Sequence, residues 1–131
     1  MEEILTVDVA LDSVLEVKGH KGEACMILFH GSSDCKNFKG KVLPGGVDTQ
    51  KEMSGEKRLL SARYILEGTD CDGESCHIFI ENNGTVEANG EITTTPVILT
   101  DSKALSWMEN ADLYGTVTGI EGGVKIAIYN K

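Results

Sequence analysis

Leu113-Tyr114-Gly115-Thr116-Val117-Thr118-Gly119-Ile120-Glu121-Gly122-Gly123-Val124-Lys125-Ile126-Ala127-Ile128-Tyr129 nearly closes the chain, and its reading decides the fold. A two-residue turn at Glu121-Gly122 or at Gly122-Gly123 puts Val117, Val124, Ile126 and Ile128 on one face. Thr116, Thr118, Lys125 and Tyr129 fall on the other. Sliding the pairing by two residues leaves this division unchanged, because side chains alternate with period two. One apolar and one polar face is what the wall of a barrel or sandwich requires.

The same alternation recurs upstream in short runs punctuated by glycine. It predicts strands over Ile4–Leu11, Val14–Val17, Ala24–Gly31, Asn37–Val42, Arg58–Glu67, Cys76–Glu81, Thr85–Asn89, Ile92–Leu99, Leu113–Gly119 and Val124–Tyr129. Asp72-Gly73, Asn83-Gly84 and Asn89-Gly90 read as turns, since these residues tolerate positive φ. One helix of about two turns is predicted near residues 101–110. Thr100 or Asp101 would cap it, and Trp107 would pack against the β-structure. A barrel and a sandwich both fit. A single antiparallel up-and-down β-barrel of about eight to ten strands, spanning residues 1–131, is preferred, because closure removes sheet edges and the hairpins follow one another steadily.

At 131 residues the chain can bury roughly two-thirds of its unfolded surface, so a core needs neither disulfide nor metal. The net charge of -9 argues against nucleic acid and anionic membranes as partners. No apolar run reaches the ~20 residues of a membrane helix. Met1-Glu2-Glu3 is acidic where a secretory leader is basic, which predicts a cytoplasmic protein with Cys25, Cys35, Cys71 and Cys76 as reduced thiols. No nucleotide or flavin motif and no zinc spacing occurs, so no cofactor and no metal is expected.

Three stretches carry the chemistry: Gly40-Lys41-Val42-Leu43-Pro44-Gly45-Gly46-Val47-Asp48-Thr49-Gln50, Ser61-Ala62-Arg63-Tyr64 and Glu81-Asn82-Asn83-Gly84. Together they resemble the bacterial and fungal family called domain of unknown function 3237, or uncharacterised protein family 0311. Its members run glycine-valine-leucine-proline-glycine-glycine-alanine-aspartate-tryptophan, then alanine-arginine-tyrosine, then an asparagine-x-glycine turn. Leu105-Ser106-Trp107-Met108-Glu109-Asn110 resembles the family's tryptophan-leucine-asparagine loosely. The resemblance implies a small β-barrel and no assigned reaction. Thr49 stands where the family has tryptophan, which implies a roomier or more polar pocket if that aromatic lines one. Gly68–Cys76 is longer than the family's usual turn.

Arg63 interrupts an otherwise apolar strand. If Asp72-Gly73 is a two-residue turn, Arg63 faces Asn82 on the apolar face and needs a counter-charge there. Asp48 is the natural partner, with Gln50 and Asn82 as amides. Arg63, Asp48, Gln50 and Asn82 are therefore the candidate ligand-binding residues. An interior arginine would hold a carboxylate or polarise a carbonyl oxygen. The expectation is a barrel that binds a small, partly apolar, carbonyl- or carboxylate-bearing molecule, with room for cofactor-independent isomerase, cyclase or lyase chemistry. The alternative is a non-catalytic structural or interaction protein in which Asp48–Arg63 is a folding clasp. Outward apolar faces admit a homodimer.

Overall fold

The structure, a computed structural model, describes residues 1–131. Nine antiparallel strands form one sheet: β1 Glu2–Lys18, β2 Gly22–Asp34, β3 Phe38–Val42, β4 Val47–Met53, β5 Leu59–Asp70, β6 Ser75–Val86, β7 Ile92–Thr100, β8 Leu113–Ile120 and β9 Gly123–Asn130. β3 and β4 each pair with both β2 and β5, so they share one position in the wall. Every other sequential pair is adjacent, and β9 closes on β1. The result is an up-and-down barrel of eight positions. No helix is long and apolar enough to cross a membrane.

Leu43–Gly46, between β3 and β4, interrupts the shared position. Leu43 N–H donates to Ile65 O at 2.8 Å, and Phe29 N–H donates to Gly46 O at 3.1 Å. Gly45 has φ +109°, where a side chain is strained. The Pro-Gly-Gly segment is thus a break that aims β4, and with it Asp48 and Gln50, into the barrel.

One end is packed solid. Phe38, Leu66, Ile78, Leu105, Met108 and Ile128 are almost wholly excluded from solvent there. Leu105 and Met108 belong to the segment around a 3-10 turn, Ser106–Asn110, that plugs this end. Ser102 fastens the plug. Its hydroxyl donates to Asp70 Oδ2 at 2.7 Å and accepts from Leu105 N–H at 3.1 Å. Asp70 Oδ1 accepts from the N–H groups of Asp72 and Glu74. Hydrogen bonding, from Ser102 first, holds the Asp70 carboxyl below its ordinary pKa.

Several boundaries differ from expectation. β1 runs unbroken, with a bulge between Leu11 and Ser13 where two strands were predicted. β4 was not predicted. Its Val47-Asp48-Thr49-Gln50-Lys51-Glu52-Met53 has few apolar residues, and its neighbours hold it extended. The two-turn helix is a single 3-10 turn with no side-chain cap bond, and Trp107 is 40% exposed, not core. Asn83-Gly84 is no turn but lies within β6. A Cβ on Gly84 would come 2.3 Å from Thr93 O, so the glycine serves strand approach.

Candidate functional site: a mainly apolar cavity in the open end

The end opposite the plug holds a cavity of about 210 Å³ lined by fourteen residues, ten of them hydrophobic. Phe29, Leu60, Ile92, Val117 and Ile126 supply much of the apolar wall. The four polar residues are Asp48 and Gln50 on β4, Asn82 on β6 and Thr94 on β7. The volume exceeds the ~150 Å³ of an apolar cavity that admits benzene.

Asp48 is held from one side. Gln50 Nε2 donates to Asp48 Oδ2 at 2.7 Å, and Arg58 Nε donates to Gln50 Oε1 at 2.7 Å. Arg58 also donates to Glu23 Oε1 at 2.9 Å and to Cys25 Sγ at 3.3 Å. Desolvation disfavours its charge, but the bonds to Glu23 and Cys25 outweigh that and move its pKa up. For Asp48, burial is the dominant influence and raises the carboxyl pKa, against the opposing Gln50 hydrogen bond and Arg58 charge.

Four buried side-chain polar atoms lack a hydrogen-bond partner: Asp48 Oδ1, Asn82 Oδ1, Thr94 Oγ1 and Tyr64 OH. The first three belong to residues lining this one cavity. Buried polar atoms are nearly always satisfied, since each orphan costs about 1–3 kcal/mol. Gly115 makes room for two of them. A Cβ there would lie 2.1 Å from Thr94 Oγ1 and 3.4 Å from Asn82 Oδ1.

The structure therefore brings Asp48, Gln50 and Asn82 together and leaves Arg63 out. Arg63 stands opposite Glu81 on the outer wall, with its Nε 3.3 Å from Glu81 Oε1 and its side chain 61% exposed. The cause is turn length. Asp70 N–H bonds Glu74 O, so the β5–β6 loop holds three residues instead of the expected two. That one-residue change in register sets Asn82 opposite Ala62 and turns Arg63 to the outside relative to it. Neither the Arg63–Asp48 pair nor a clasp built on it forms. Tyr64, of opposite parity, faces inward. It packs edge-on against Phe29 at 5.4 Å, and burial pushes its hydroxyl pKa up.

Thr94 and Arg58 were missed. Thr94 sits in the uniform run Thr93-Thr94-Thr95, which distinguishes no member. Arg58 had a signal, the inward parity of Leu60 and Ala62, but it reads first as half of the basic pair Lys57-Arg58. The four cysteines are free thiols, and no three His, Cys, Asp or Glu side chains converge as a metal-binding group.

A family model described as "Protein of unknown function (DUF3237)" matches residues 1–95. The chain belongs to this family. A UPF0311 protein of Clostridium acetobutylicum is 30% identical, aligned over 83% of this chain and 79% of its own. A crystal structure of a protein of unknown function from the same organism superposes with TM-score 0.82 at 28% identity, covering 98% of this chain and 94% of the other. A structure from Acinetobacter baumannii, described as a beta-barrel like protein, gives TM-score 0.76 at 20% identity, with 98% and 93% covered, and supports the fold alone. In this DUF3237 chain Thr49 is exposed and opposite Ser61, with its side chain on the outer wall. The absent tryptophan therefore does not enlarge the internal cavity.

Proposed function

We propose that the barrel binds a small, neutral, largely apolar molecule bearing a hydroxyl and a carbonyl, with Asp48 as its proton acceptor. The observation that carries this is the set of three unpartnered polar atoms, Asp48 Oδ1, Asn82 Oδ1 and Thr94 Oγ1, around one mainly hydrophobic cavity. A ligand hydroxyl would donate to Asp48 Oδ1. The Thr94 hydroxyl would donate to the ligand's carbonyl, and Asn82 Oδ1, an acceptor, would take a second ligand O–H or N–H. With Arg63 outside, Asp48 is the one formally charged residue lining the cavity, and a carboxylate ligand would face it. That removes the reason to prefer an anion and keeps the carbonyl.

The raised pKa of Asp48 makes it a stronger base than an exposed carboxylate. The Arg58–Gln50 arm fixes its second oxygen and leaves Oδ1 for the ligand. Proton abstraction from the bound hydroxyl would support cyclisation: its oxygen adds to the ligand's own carbonyl carbon as the C=O π bond breaks, and the proton held by Asp48 passes to the former carbonyl oxygen. The rival reading is a structural clasp, whose cation would be Arg58.

Asp48→Asn separates the two. A site predicts an unchanged or higher Tm at pH 7, because a desolvated carboxylate is replaced by a neutral amide, together with loss of the bound molecule. The bound molecule is read by mass spectrometry of extracts from protein purified out of its host. A clasp predicts a lower Tm and no extracted molecule from either form, and that pair of results would overturn the proposal.

A further inference from the structure

The eight residues Leu11–Lys18 of β1 are all exposed, although four are large and apolar. Leu11, Val14, Leu15 and Val17 are 49%, 54%, 59% and 72% exposed. β2 pairs with this segment as far as Lys18, but β9 stops at Ala10 opposite Gly123. The other edge of Leu11–Lys18 therefore has no neighbouring strand. Its phase is fixed at the hairpin tip, where Gly19 N–H donates to Gly22 O at 3.0 Å. Counting back by twos, Val17, Leu15 and Ser13 turn their backbone groups to β2. Val14, Glu16 and Lys18 turn theirs to the open edge. A long open edge flanked by exposed apolar side chains is a template for another strand.

We propose that this edge pairs antiparallel with the same edge of a second copy, making an isologous dimer with Leu15 on the two-fold axis. Val14 then falls opposite Glu16 of the partner subunit, and their outward backbone groups meet as hydrogen-bonded pairs. Asp12, at the bulge beside His30, falls near Lys18 of the partner subunit, and the reverse holds across the axis. Charge selects this register. A slide centred on Glu16 sets Glu16 against itself, and one centred on Val14 sets Asp12 against Glu16. The outer-face neighbour of Leu15 on β2, Met26, is 45% exposed and extends the apolar surface that pairing would cover. The proposal is independent of what the cavity binds.

Sedimentation equilibrium from about 1 μM to about 1 mM tests it. The expected species has twice the 14.1 kDa chain mass. Val14→Pro removes an N–H directed to the open edge and none directed to β2, so it should give a folded monomer. Lys18→Glu should weaken dimerisation on the order of tenfold by placing like charges across both symmetry-related contacts, and Asp12→Lys added to it should restore pairing. The charge variants carry the test if Val14→Pro fails to fold. A monomer throughout the concentration range, or a dimer indifferent to these substitutions, would overturn the proposal.

Discussion

Arg58 and Arg63 differ in parity, and that decides their surroundings. Arg58 shares the inward parity of Leu60 and keeps only 22% of its side chain exposed among Gln50, Glu23 and Cys25. Arg63 projects outward beside Glu81. Arg58→Met should cost about 1–3 kcal/mol, because Gln50 Oε1 and Glu23 lose a donor. Arg63→Met should change stability by less than about 0.5 kcal/mol, as for other exposed pairs. Urea denaturation of both variants checks this, and equal costs would remove the distinction. The candidate acid and its two amides were legible because Asp48, Gln50 and Asn82 are conspicuous in an alternating chain. The cation was misassigned because one residue in a turn changes which side chains lie opposite each other.

The elements are joined unevenly. β7 pairs in register with β8 only at Thr93–Thr116 and Thr94–Gly115. Gly115 is the close-approach point of that seam, so Gly115→Ala should force Thr94 aside. Overpacking of this kind costs about 1–3 kcal/mol, seen as a lower urea midpoint, and the same methyl should reduce ligand occupancy. An unaltered midpoint would show that the seam can yield. On the outer wall, His77 of β6 lies 3.0 Å from Asp101 Oδ2 and 3.0 Å from Glu67 Oε2, tying β5, β6 and the segment after β7. Asp101 first, then Glu67, raise the His77 pKa above 6.5. A raised folded-state pKa means that the stabilisation is full below the unfolded value and is lost as pH rises through the folded one. The Tm advantage of wild type over His77→Gln should therefore shrink as pH rises above about 6.5. An advantage that grows over that range would contradict the tie. Strand existence was legible wherever alternation was strong. β4 was not, because its polar run is extended by its neighbours and not by its own pattern.

Across the molecule, one end is a packed core and the other a cavity, and the same substitution should cost differently at each. Leu66, fully buried beside the plug, should lose about 2–5 kcal/mol on change to alanine, a transfer term plus a new void. Leu60 borders space that already exists, so Leu60→Ala should cost less. Calorimetry of the two variants checks the ordering, and a reversed order would mean that the cavity end carries the stability.

By itself the sequence determined an all-β chain, the faces of its last hairpin and the one acid and two amides to watch, because side-chain alternation is a local property of each strand. Only the tertiary structure decided register and closure. It set a three-residue turn between β5 and β6, sent Arg63 outward, brought Arg58 to Gln50, and gathered Asp48, Asn82 and Thr94 around one cavity. These depend on which distant residues lie opposite one another, and a pattern of period two repeats identically in many registers.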